Sequence, residues 1–231
     1  MPERFFIGNS VRGCSTSEQL SLLCGPPACG KTSLLFQFAF NCAAESGGKV
    51  VFICSKKRLE HKPPFLPQDI DPASDILGRI QMKYVEDDVE IKKYFAAFHL
   101  HERFPVAVII DDFGDFFIKG KYQDKYGPRD REAALAHALA LCQNAISHAN
   151  SKLQPCGSCK LLLSDTQRRD NASLLFIYKI WMQSIFIIEV GGMDSFFLKN
   201  MANQRNWPTR RRIAKYNFAC QYLILEEVLE E

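Results

Sequence analysis

No apolar run in this 231-residue chain approaches the roughly 18 residues that a membrane-spanning helix needs, so the sequence offers no such span. Charge of one sign is scarce as well: 29 basic against 26 acidic residues leave a formal net charge of +3. Any nucleic-acid footprint must therefore be a local patch. The N-terminal MPERFFIGNS lacks a cationic head followed by an apolar stretch, which leads us to expect a soluble intracellular protein. Internal repeats, low-complexity segments and a dividing linker are missing too, so a single domain spanning 1–231 is expected. The Pro-rich HKPPFLPQDIDP at 61–72 reads as a surface loop. Cysteine, by contrast, is plentiful. Nine residues, odd in number and set in apolar segments (Cys24, Cys42, Cys54, Cys142, Cys220), read as buried thiols rather than a disulfide framework.

Short apolar runs alternate with helical patterns. LSLLC (20–24), VVFIC (50–54), VAVIID (106–111), KLLLSD (160–165) and SIFIIEV (184–190) read as strands apolar on both faces, as a helix-covered parallel sheet requires. Between them lie GKTSLLFQFAFNCAAES, DVEIKKYFAAFHLHE and DREAALAHALALCQNAISHAN, with apolar residues at helical spacing. The class is α/β. After residue 190 the pattern changes to DSFFLKNM, RRIAKYNF and CQYLILEEV, which read as antiparallel strands added to one sheet edge.

The segment LSLLCGPPACGKTS carries the chemistry. Gly25, Gly30, Lys31 and Thr32 fit G-x-x-x-x-G-K-[ST], directly after an expected strand and directly opening an expected helix. In such a loop, Gly25, Pro26, Pro27, Ala28, Cys29 and Gly30 turn backbone N–H groups toward phosphate, with Lys31, Thr32 and Ser33 opening the helix. Lys31 would reach the terminal phosphates and the Thr32 hydroxyl would ligate Mg²⁺. The acid such a site needs ends the buried strand VAVIIDD. Asp111 is the expected Mg²⁺ partner through water, and the neighbouring Asp112 is a candidate for orienting water. ATP and Mg²⁺ are thus the expected ligands.

These motifs, with the stretches VVFICSKKRLE, LGRIQMKYVEDDVEIKKYFAAFHL, VAVIIDDFGDFF and LLLSDTQ, resemble the RecA-type recombinase ATPases over most of residues 19–190. The likeness is to the small recombinase paralogues of Shu-type homologous-recombination complexes, in particular those associated with a SWIM-type zinc-finger protein. It implies a RecA-like P-loop NTPase core and a nuclear role in DNA repair. The partners it implies are a SWIM-domain zinc protein, a recombinase and single-stranded DNA. It also carries Gln167 over as the γ-phosphate sensor beside Lys31, Asp111 and Asp112. The family's catalytic Glu after the second strand is replaced by Ser55, Lys56, Lys57 and Arg58, so the resemblance implies ATP binding with weak hydrolysis.

The resemblance to RecA-type proteins also implies two DNA-binding loops, one after the strand ending at Asp111 and one after the strand ending in the segment with Gln167. The first, FGDFFIKGKYQDKYGPRDR (113–131), offers Lys119, Lys121 and Lys125 among aromatic residues, with a small excess of cations. Its aromatics stack on bases or pack back on the core; the sequence leaves both open. The second, QRRDNAS, offers Arg168 and Arg169 but has no length for strand exchange. RNWPTRRRIAK (205–215) is a further basic cluster, either a nucleic-acid contact or the face of a hairpin. Cys156 and Cys159 in CGSC have metal spacing without a second ligand pair and read as incidental thiols. Phe5, Phe6 and Ile7 are candidates either to dock on a neighbouring subunit or to pack on their own core. Two other readings stay open at this level: a small-molecule or nucleoside kinase, and a non-hydrolysing P-loop scaffold.

Overall fold

The computed structural model describes residues 2–6, 19–65, 70–117, 128–155, 157–167, 172–192, 195–201, 212–219 and 222–230. Among these residues nine strands form one sheet: β1 (Leu20–Gly25), β2 (Val50–Cys54), β3 (Ile80–Tyr84), β4 (Ala107–Ile110), β5 (Lys160–Thr166), β6 (Ser184–Val190), β7 (Ser195–Met201), β8 (Arg212–Ala219) and β9 (Tyr222–Glu230). Their order is β3-β2-β4-β5-β1-β6-β7-β8-β9. The first six run parallel. The last three extend the β6 edge as antiparallel neighbours, as the change of pattern after residue 190 led us to expect.

The alternation of each strand builds two cores. Leu22, Val51, Ile53, Val108, Ile110, Leu161 and Leu163 face one side. That side is covered by α4 (Asp88–Ala96), α5 (Pro128–Leu153) and α6 (Ala172–Trp181), through residues such as Ile91, Leu139 and Tyr178. Leu23, Phe52, Ile109 and Leu162 face the other, where α1 (Lys31–Ser46) packs. The doubly covered sheet explains why its inner strands are apolar without alternation. Two short helices, α2 (Lys56–His61) and α3 (Asp75–Gly78), lie between β2 and β3. Among the described residues, no helix is long and apolar enough to cross a membrane.

Of the elements not assigned from sequence, β3, α6 and α2 each have a physical reason. Among the described residues β3 has a single neighbour in the sheet, and it exposes Gln81, Lys83 and Tyr84, so it never looked like a buried strand. α6 is apolar almost all round, with Phe176 and Ile180 more than half exposed, and this erases the helical period. α2 buries none of its residues and is almost entirely polar.

The N-terminal residues pack inside this chain. Phe5 and Phe6 are 1% and 2% exposed, Phe5 against the rings of Phe38 and Phe186 and Phe6 against Tyr216. Asn41 of α1 donates to the carbonyls of Arg4 and Phe6 at 2.9 and 3.0 Å, and Glu3 pairs with Arg212 at 3.1 Å. Docking of Phe5 and Phe6 on a neighbour gives way to core packing; Ile7 lies outside the described residues. Cys24, Cys42, Cys54 and Cys142 are buried free thiols as expected, while Cys220 lies outside the described residues. Cys159 is also buried, its backbone clamped by the Asn150 amide at 2.6 and 3.1 Å, and Cys156 lies outside.

Candidate nucleotide site

Parallel strands bring their carboxyl ends to one edge, and ligands of such sheets bind there. The register pairs Gly25 at the end of β1 with Thr166 at the end of β5, and Ile110 with Leu163, so the loop 25–32, Asp111 and Ser164 share that edge. A cleft of about 1090 Å³ opens between them.

The loop is shaped by its glycines. A Cβ on Gly25 would fall 2.8 Å from Cys29 Sγ and 2.9 Å from Ile188 Cβ, so this position needs space. Gly30 instead needs conformation: its φ is +80°, and a Cβ would lie 2.3 Å from Phe218 Cζ. Gly30→Ala is therefore expected to destabilise the protein by about 2 kcal/mol or more and to weaken nucleotide binding. Chemical denaturation checks it, and Phe218→Leu, which clears the ring, should recover only the steric share. Ala28 also takes a left-handed φ of 60°, a strain of about 1 kcal/mol held by the loop's packing.

Side chains of the C-terminal strands support the loop from outside. The buried Tyr216 hydroxyl of β8 donates to the Cys29 carbonyl at 2.8 Å, and burial pushes that phenol far above its ordinary range. Ser33 turns away from the loop and accepts from the Phe65 N–H at 3.0 Å. Phe65 packs on Phe218 with ring centres 5.4 Å apart, and with Tyr222 these rings form the apolar wall of the cleft. Pro26 is half-buried and Pro27 exposed at the loop's turn.

Lys31 is 6% exposed, and its ammonium donates to the carbonyls of Pro26 (2.9 Å) and Gly25 (3.4 Å) and lies 3.9 Å from Cys29 Sγ. Among the described residues no carboxylate pairs with it. A shielded cation held only by carbonyls and a thiol fits an incoming anion such as phosphate. Thr32 Oγ1 donates to Asp111 Oδ2 and Ser164 Oγ to Asp111 Oδ1, both at 2.8 Å. This donor set of hydroxyl and carboxylate oxygens suits a hard cation such as Mg²⁺. Burial, then the charge of Asp112, pushes the Asp111 carboxyl up to about 6, against the hydroxyl bonds that favour its ionised form. Burial likewise pushes Asp165, behind the site, up to about 6.

Asp112 is fully engaged. Its φ is +49°, its N–H donates to Ser164 Oγ at 2.7 Å, and Thr166 Oγ1 donates to its Oδ1 at 2.6 Å. Its Oδ2 receives Arg58 Nη2. Arg58 Nη1 reaches Asp115 Oδ2. Gln167 stands beside the loop through its backbone, N–H to the Gly25 carbonyl at 2.9 Å, with its side chain exposed.

The expected DNA contacts Lys119, Lys121, Lys125, Arg168 and Arg169 lie outside the described residues, as do residues 205–211 of the 205–215 cluster. At the loop's start, Phe116 and Phe117 are 5% and 2% exposed, which favours the core-packing reading for these two aromatics. At its end, Arg131 is half-buried, with Nη2 donating to the Gly114 carbonyl at 3.4 Å. Arg58, Ser164, Thr166 and Tyr216 were not singled out from sequence. Ser164 and Thr166 carried a signal as polar residues ending a largely apolar strand, and Arg58 one as a cation where an acid was expected.

No family model matches the chain. ATPase SWSAP1 of Homo sapiens is 26% identical over 144 residues, which cover 62% of this chain and 58% of that protein. The chain thus spans less than two thirds of that relative's length. The likeness supports a relationship to RecA-like paralogue ATPases and, with the mostly parallel sheet, a RecA-like core.

Proposed function

We propose that this chain is an ATP-binding accessory protein of homologous-recombination DNA repair. It binds Mg²⁺ and ATP through Lys31, Thr32 and Asp111, hydrolyses ATP weakly with stimulation by DNA, and binds single-stranded DNA. In the nucleus it assists a recombinase in complex with a SWIM-domain zinc protein. One observation carries the nucleotide half: a shielded lysine, a threonine hydroxyl and a buried aspartate meet at the carboxyl edge of a parallel sheet. Slow turnover is supported by the segment after β2, where Ser55, Lys56, Lys57 and Arg58 stand in place of the family's water-activating acid. The recombination half rests on the resemblance to Shu-type paralogues and on the likeness to ATPase SWSAP1.

The test measures ATP turnover and DNA affinity on the same preparation, alone and with the zinc protein. Binding should favour single strands and weaken with salt, and replacing Lys119, Lys121, Arg168 and Arg169 by Ala should flatten the salt slope by about 0.7 per lost phosphate contact. Unchanged affinity removes DNA from these two loops. Turnover at the roughly 1 to 100 s⁻¹ of kinases would contradict the weak-ATPase reading. A chain that is stable alone and does not co-purify with a SWIM-domain protein would contradict the complex.

A further inference from the structure

Arg58 sits on α2, a six-residue helix that buries none of its side chains. Its guanidinium nevertheless turns inward, forking across the carboxylates of Asp112 and Asp115. Those acceptors are only 8% and 13% exposed, whereas the Arg58 side chain keeps 38%. Arg58 also lines the cleft shared by Lys31, Thr32 and Asp111, and its charge reaches Asp111, where it favours the ionised carboxyl.

The two sides of this fork differ in freedom. Asp112 is held to β5 by Ser164 and Thr166, at 2.7 and 2.6 Å. Arg58 is carried by a short surface helix on a long side chain. If the contact opens, Arg58 is therefore the partner that moves. A guanidinium matches a phosphate's oxygens as well as a carboxylate's, through the same paired N–H donors. Lys31 has no carboxylate partner among the described residues, whereas Arg58 is held by Asp112 and Asp115, so an entering polyphosphate meets Lys31 directly and competes with those two carboxylates for Arg58.

We propose, on the basis of the nucleotide-site reading above, that Arg58 is the residue by which this cleft distinguishes a nucleoside triphosphate from a diphosphate. Its guanidinium holds Asp112 and Asp115 in the absence of a terminal phosphate and transfers to that phosphate when a triphosphate enters. Lys31 anchors either nucleotide; Arg58 adds the preference. The transfer trades one charge-assisted fork for another, so its net effect is modest and is set by how strongly the acids compete.

The test is calorimetric titration of the full chain with a non-hydrolysable ATP analogue and with ADP, both in Mg²⁺. Arg58→Ala should lose about tenfold or more in triphosphate affinity and leave ADP within about twofold, as expected when one charge-assisted pair is removed. Arg58→Lys keeps the charge without the fork and should fall between. Asp115→Asn should act the other way, tightening triphosphate binding several-fold because its competitor is weakened, and should have no such effect when combined with Arg58→Ala. An unchanged triphosphate to diphosphate ratio in Arg58→Ala overturns the proposal. So does an Asp115→Asn effect that persists without the arginine. Wild-type protein that binds neither nucleotide overturns the site itself, whereas wild type that binds both beside an unaltered Arg58→Ala ratio overturns only the arginine's role.

Discussion

Lys31→Ala is expected to weaken ATP binding by about 100-fold or more while leaving the thermal unfolding midpoint within a few degrees of wild type. The two halves of this expectation have one origin. The Lys31 ammonium lies under the surface at 6% exposure, bonded to the Pro26 and Gly25 carbonyls, so folding gains little from its charge. A polyphosphate would gain a desolvated cation at short range, where charge-assisted bonds are strongest. Titration calorimetry reads the affinity and circular dichroism the unfolding midpoint. Equal ATP affinity in variant and wild type would remove the nucleotide site from this loop.

Asp111→Asn should have effects of opposite sign on stability and on binding. In the folded chain the carboxyl is raised to about 6 from an ordinary 3.8, by burial first and by Asp112 second. A raised carboxyl contributes stability that is complete below 3.8 and is lost as pH rises through about 6. At neutral pH the ionised group is therefore a liability, on the order of 3 kcal/mol. Asn removes it, and the Thr32 or Ser164 hydroxyl can rotate to accept from the new amide. The empty variant should melt several degrees higher at neutral pH, and the difference should vanish in acid, where wild type is already protonated. The same change takes away the anionic oxygen that a magnesium ion requires, so Mg²⁺-dependent triphosphate affinity should fall by about tenfold or more. A variant less stable than wild type at neutral pH would show that the hydroxyl bonds outweigh the burial of charge.

How far the site could be seen in advance depended on how its parts are joined. Gly25 to Thr32 form one continuous loop, and Asp111 ends an unmistakable buried strand, so both were legible. Arg58 is 54 residues from Asp112 along the chain, and the sequence offered it only as a cation where an acid was expected. Its contact depends on how α2 is set against the strand ends, which no local pattern encodes. Tyr216 was hidden differently. It occupies an apolar position in a strand assigned to the sheet edge, and only the turn of β8 and β9 toward α1, where Gln37 meets the Leu223 carbonyl at 3.5 Å, puts its hydroxyl under Cys29. Sheet twist accumulates over strands and is invisible to alternation within one of them.

The bond from Tyr216 to the Cys29 carbonyl also orders events in time. Phe6 packs on the same ring, so a residue near position 1, the phosphate loop and a strand some two hundred residues later meet at one phenol. During synthesis the side chain that props the loop leaves the ribosome 187 residues after the carbonyl it supports. Contacts so distant in sequence form late and slowly. The propped loop is thus a product of completed folding, and a nascent chain halted before β8 carries the whole phosphate-binding motif without the support that shapes it.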